Sequence, residues 1–248
     1  MGALIGGFFA AGKLDAYVEW LQSVDGLTLL RLLDFKGSGG FVAGDTLIKK
    51  LEEVLGGDIN IENLPLTFTA VAADIENEKE IWINEDSLLQ AIRASISIPL
   101  FFAPYHYKGM MLVDGGVLNP VPIAPTFHDG TDITIAVNLG GEATDDTPLF
   151  TEHASEDKTL TSKIKSYLTD VTLPASITEE KGMYGIANQS FEAMQSTIAR
   201  MKLASYPPDI EIDIPRNICG TFDFNKSEKI IEYGYNLCAE TFKNHKRV

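Results

Sequence analysis

The 248-residue chain carries 20 Lys and Arg against 35 Asp and Glu, a net charge of −15. With a pI near 4.6 the surface opposes a phosphate backbone, which excludes nucleic acid as a partner and disfavours charge-driven docking to anionic membrane. Apolar residues at 45% supply a sizeable core, so the sequence predicts a globular protein, treated as a single domain over 1–248.

Cys219 and Cys238 lack CxxC spacing and read as buried thiols of a reducing compartment. His106, His128, His153 and His245 form no HExxH pair, so neither a metal nor a cofactor is expected. No stretch approaches the roughly 20 continuous apolar residues of a membrane span. The apolar opening has no basic residue before it and runs into an amphipathic pattern, so it is not read as a signal peptide; a soluble, cytoplasmic protein, at most peripheral to membrane, is the expectation.

The first dozen residues are small and apolar all round, as in a helix packed between other elements. A short helix follows over 15–24, then a glycine-rich loop over 35–44 in which Gly37, Gly39 and Gly40 lack the GK[ST] of a phosphate loop. Asp45 caps a helix carrying Leu47, Ile48, Leu51, Val54 and Leu55 at the 3.6-residue period, stopped by Gly56 and Gly57. Residues 66–75 (LTFTAVAADI) read as a buried strand, 80–83 as a shorter one and 85–94 as a helix. Lys108-Gly109 reads as a tight hairpin between 105–107 and 110–113, and 131–139 as another buried strand. Residues 140–183 open with an acidic run and read as an inserted loop or lid. A helix over 185–203 has Ile186, Phe191, Met194, Ile198 and Met201 on one stripe, with its methionines as core filling. A strand over 209–214 and a helix over 226–242, with Cys238 on its inner face, complete the chain. Alternating strands and helices predict an α/β layered fold with a central, mostly parallel sheet and function at strand carboxyl ends.

One carboxylate stands out on that basis. Asp114 follows the apolar Met110-Met111-Leu112-Val113 and precedes Gly115-Gly116, at the end of a strand where glycines let other backbone approach. Downstream, Asn119-Pro120 has the form of a helix N-cap with proline at the first helical position. Taken alone, Asp-Gly is a turn signal and the spacing is weak.

Three segments in order carry a more specific pattern. Residues 2–12 (GALIGGFFAAG) resemble the helix after the nucleophile elbow of the patatin-like phospholipases. Residues 91–102 (AIRASISIPLFF) resemble an internal segment of that family, and Asp114-Gly115-Gly116 with Asn119-Pro120-Val121-Pro122 resembles its Asp-Gly-Gly motif and the helix after it. The resemblance extends from Met1 to about Leu139, is faint over 209–242 and is absent across the acidic insertion.

The family implies a lipid acyl hydrolase, phospholipase or esterase, working with a Ser-Asp dyad. Its serine sits in G-x-S-x-G on a strained strand-to-helix turn, and glycine-rich backbone N–H groups hold the oxyanion. On this sequence Asp114 matches the aspartate, Gly2 the closing glycine of the elbow and Met1 the variable residue before it. The serine is then expected immediately before Met1, with the oxyanion loop and first strands further upstream, and the expectation is a longer complete protein. The alternative is a true short form acting as a non-catalytic lipid-binding or interaction module. The expected partners are a lipid or acyl-ester substrate, a membrane or micelle surface, and further copies of the chain through an uncovered sheet edge. Ser95, Ser97, His106 and Asp114 run in a Ser-His-Asp order, but neither serine is flanked by the elbow glycines, and His106 reads as a hairpin residue.

Overall fold

The computed structural model describes residues 1–24, 28, 31–32, 42–99, 101–144, 183–219 and 226–245. Most of the expected glycine-rich loop, and the acidic insertion beyond residue 144, lie outside them. The chain forms two compact units, Met1–Asp132 and Ile133–Val248, and both mix helix with strand.

The first unit contains helices α1 (Gly2–Ala10), α2 (Leu14–Ser23), α3 (Asp45–Leu55) and α4 (Leu88–Ser95). Its strands are β1 (Ala70–Asp74), β2 (Lys79–Ile83), β3 (Tyr105–Tyr107) and β4 (Met110–Asp114). They form one sheet in the order β2-β1-β4-β3. Every pairing in it is antiparallel, whereas the sequence pattern predicts a mostly parallel sheet. For two of the three pairings the reason is local: β1 turns directly into β2, and β3 into β4, through connections too short for a crossover helix. Lys108 and Gly109 form the second turn with φ of 47° and 82°, as a two-residue hairpin loop demands. At the first turn the Asp74 carboxylate accepts the amides of Glu76 and Asn77 and the Asn77 side chain at 2.7 Å, which holds its pKa below the usual range.

β1 is buried along its whole length because it lies between two strands and beneath α4. Ser87 caps α4 by accepting the Gln90 amide at 3.0 Å, and seven of that helix's eight residues are buried. α1 crosses α4 closely, since a Cβ on Gly7 would stand 3.0 Å from Ile92 and 3.1 Å from Leu88. Phe8, Leu51, Leu55, Leu88, Ile92, Ile96 and Leu112 make the fully buried centre. The first helix is not packed all round, however: Met1, Ile5 and Phe9 form a stripe 43%, 42% and 59% exposed. Asp45 opens α3 as its first residue, and Gly44 takes the cap position with φ of 81°.

The second unit pairs β5 (Ile135–Gly141) with β6 (Ile210–Pro215), and this pair is parallel. Helix α5 (Met183–Ser205) packs on β5 and α6 (Ser227–His245) on β6. Ile210 and Ile212 are buried, while Ile135, Val137 and Leu139 are exposed. The expected apolar stripe of α5 is only partly internal. Phe191 and Ile198 are half-buried, whereas Ile186, Met194 and Met201 face outward, which corrects the methionines as core filling. Ala199 and Leu203, outside that stripe, are the buried residues, because the apolar residues of this long helix cover more than one face. Cys238 is half-buried and Cys219 is exposed, which corrects the reading of both as buried thiols.

Candidate active site

Asp114 ends β4, and its neighbours explain why this sequence stops a strand there. The Asp114 side chain accepts the Gly116 amide at 2.7 Å, capping a single 3-10 turn at Gly115–Val117. Gly115 lies against β1 so closely that a Cβ would stand 2.3 Å from the Val71 carbonyl oxygen. Only glycine fits, for a steric reason rather than for its φ. On its other flank the Asp114 amide donates to the Ser97 carbonyl at 2.9 Å. Across the mouth of the turn, Asp114 Oδ2 lies 3.9 Å from the Met1 amino nitrogen at the start of α1.

One carboxylate oxygen is therefore committed to the turn and the other faces the head of a helix. The Asp114 side chain is 16% exposed, and burial pushes its pKa upward, opposed by the Met1 ammonium and the Gly116 amide. A carboxylate with a raised pKa is a stronger base, and the α1 N-terminus beside it favours anionic charge. Such an arrangement can take a proton from a nucleophile at the head of α1.

The site residues read from the sequence divide into those brought together and those kept apart. Met1, directly before α1, approaches the carboxylate of the turn formed by Asp114, Gly115 and Gly116. Gly2 itself has nothing within 4 Å of a would-be Cβ among the described neighbours. Asn119 caps no helix, since a 3-10 turn follows only at Ala124–Thr126. Its side chain is buried, and its amide nitrogen donates to Glu80 at 3.0 Å while the oxygen a cap would use has no hydrogen-bond partner among the described residues.

The Ser-His-Asp order does not assemble. Ser95 Oγ donates to the Val71 carbonyl at 2.7 Å and Ser97 Oγ to the Arg93 carbonyl at 2.8 Å, both buried. His106 is exposed on β3 opposite Met111. Arg93 belongs to none of the candidate site residues of the sequence, yet it is 4% exposed and organises this region. Its signal in the sequence is a lone cation between Ile92 and Ala94, on a helix otherwise apolar around it. Among the described residues, no group of three or more His, Cys, Asp and Glu side chains is arranged to hold a metal ion. No helix among them is long and apolar enough to cross a membrane.

Comparison with known proteins bears on the family. The patatin-like phospholipase family model matches residues 1–127. An uncharacterized NTE family protein of Mycobacterium tuberculosis is 30% identical over 296 aligned residues, covering 98% of this chain and 81% of the relative. A lysophospholipase of Phaeosphaeria nodorum is 26% identical over 180 residues, covering 72% of this chain and 11% of that protein. The chain belongs to the patatin-like phospholipase family, a family of lipid hydrolases.

Proposed function

We propose that the protein is a lipid acyl hydrolase working with a Ser-Asp dyad, in which Asp114 is the base and the nucleophile is a serine joined directly to Met1. The observation that carries this reading is the 3.9 Å separation of Asp114 Oδ2 and the Met1 nitrogen, the atom through which a preceding residue is bonded. A side chain on that residue starts within a few bonds of the free carboxylate oxygen. The elbow motif asks for serine at that place, with Met1 and Gly2 completing Ser-x-Gly.

In the reaction, the serine oxygen attacks the ester carbonyl while its proton passes to Asp114 Oδ2. The tetrahedral oxyanion collapses to an acyl-enzyme, and the leaving alcohol departs with the proton from Asp114. Water then loses a proton to the same carboxylate as it attacks the acyl-enzyme; the second tetrahedral intermediate collapses, Asp114 returns that proton to the departing serine oxygen, and the fatty acid is released. Burial of Asp114 suits it to this exchange, because it brings the carboxyl pKa nearer to working pH. The substrate on this reading is an acyl ester presented in a micelle or membrane surface.

The test is a serine-directed fluorophosphonate applied to the protein as its own cells make it, with sequencing of the labelled peptide and intact mass. The expected result is label on a serine immediately before Met1, and loss of ester hydrolysis in Asp114→Asn. Label on Ser95 or Ser97, or full activity in that variant, would refute the assignment.

A further inference from the structure

We infer that Ser97, held in place by Arg93, is a positioning residue for the Asp114 carboxylate. This rests on the reading of Asp114 as the base and goes beyond it by assigning how the base is kept on target.

β3 ends its pairing with β4 at Tyr105 opposite Leu112, so Val113 and Asp114 run beyond the last partner on that side. The Ser97 carbonyl takes the place a further strand residue would occupy, accepting the Asp114 amide at 2.9 Å. Ser97 lies two residues beyond the end of α4, where its own amide makes a long bond, 3.3 Å, to the Ala94 carbonyl. Its hydroxyl adds a shorter hold in both directions. It donates to the Arg93 carbonyl one turn back at 2.8 Å and accepts from Arg93 Nη1 at 2.7 Å.

Arg93 cannot follow if Ser97 moves, because its other guanidinium nitrogen is committed elsewhere. Nη2 donates to the carbonyls of Ala43 at 2.5 Å and Ala103 at 3.1 Å. Its guanidinium carbon also lies over the rings of Phe102 and Tyr105, at 5.4 and 5.3 Å from their centroids. The planar fork therefore ties α4 to two other segments and fixes the hydroxyl against them. On the opposite flank, Ser95 fixes the Val71 carbonyl on which Gly115 rests. The two serines considered as nucleophiles in the sequence thus hold the Asp-Gly turn from either side. The precision matters, since a displacement of about 1 Å in a reacting group can cost about 100-fold in rate.

The experiment compares Ser97→Ala with wild type in two ways. In the 248-residue chain labelled uniformly with 13C and 15N, NMR follows the Asp114 carboxyl titration and amide hydrogen exchange. The expected result is an unchanged fold, Asp114 exchange accelerated at least about tenfold beyond that of Val113 and Ala72, and a displaced carboxyl midpoint. In the protein as its own cells make it, hydrolysis of a p-nitrophenyl acyl ester should lose about tenfold or more in kcat with KM within about twofold. The acid limb of its pH–rate profile should move, and Ser97→Thr, which keeps the hydroxyl, should restore kcat.

A general loosening of the fold would speed exchange at all three amides alike and leave the midpoint in place, and that result overturns the proposal. If Ser97→Ala does not fold, Ser97→Cys, close in size but a weak hydrogen-bonding group, carries the same expectations. Wild-type kcat and pH profile in folded Ser97→Ala or Ser97→Cys, with Asp114→Asn inactive, would overturn the positioning role and leave the dyad standing. Full activity in Asp114→Asn would remove both.

Discussion

Gly115→Ala is the most direct probe of how tightly the Asp114 turn is set. The added Cβ would stand 2.3 Å from the Val71 carbonyl oxygen, 2.7 Å from its carbon and 3.0 Å from Val71 Cγ1. An ordinary carbon–oxygen contact is about 3.3 Å, so roughly 1 Å of separation has to be found. The obstacle is backbone, which cannot swing aside as a side chain does. Val71 is held by its pairing with Trp82 and by the Ser95 hydroxyl on its carbonyl, and Asp114 is held by Ser97. Overpacking of this kind costs about 1–3 kcal/mol, and losing one of those hydrogen bonds adds about 1 kcal/mol. The expected loss is about 2–4 kcal/mol, or roughly 5–15 °C in Tm for a chain of this size. Urea titration followed by tryptophan fluorescence is the natural assay, since both tryptophans, Trp20 and Trp82, lie in the first unit and Trp82 sits opposite Val71. Gly234→Ala is the control: it lies in α6 with nothing within 4 Å of a new Cβ, and should stabilise by about 0.5–1 kcal/mol. A Gly115→Ala protein within about 0.5 kcal/mol of wild type would refute the steric reasoning, because that is the scatter of a neutral surface change.

Other outcomes are expected of the same structure. Burial raises the Asp114 pKa, so between the ordinary aspartate value and the raised one the folded protein keeps a proton that the unfolded chain has released. Stability drawn from this group is full at low pH and is lost as pH rises through that window. Asp114→Asn should therefore gain on wild type with rising pH; urea midpoints between about pH 3.5 and 7.5 would show it, and a pH-independent difference would contradict it. Ser87→Ala removes the acceptor for the Gln90 amide and the hydroxyl that donates to Asp58, and should cost about 1 kcal/mol by thermal melting. An unchanged Tm would mean that the cap contributes nothing here. The exposed Ile135, Val137 and Leu139 on β5, with the Met1, Ile5 and Phe9 stripe of α1, should drive association of this chain. Light scattering across a concentration series should give a rising mass, and a constant monomer mass would disprove it.

The sequence by itself determined the features that depend on near neighbours. The period of Leu47, Ile48, Leu51, Val54 and Leu55 specified α3, and Lys108-Gly109 specified a hairpin whose positive φ values glycine and a turn residue tolerate. The position of Asp114 at a strand end before two glycines was also legible, as were the ordered motifs of the family. Strand direction was not, because apolar composition is the same for a buried strand whichever way its partner runs; short connections made two of the first sheet's three pairings antiparallel. The sequence weighed against Ser95 and Ser97 as nucleophiles, since neither has the elbow glycines, but did not show what they hold. That lay with carbonyl partners on other segments, Val71 being 24 residues from Ser95. The burial that raises the Asp114 pKa, its approach to Met1 and the Asn119 amide nitrogen's bond to Glu80 are likewise contacts between distant residues. Periodicity and turn chemistry encode how the chain bends locally, whereas which groups lose water and which oxygen faces which nitrogen are settled only when remote segments pack.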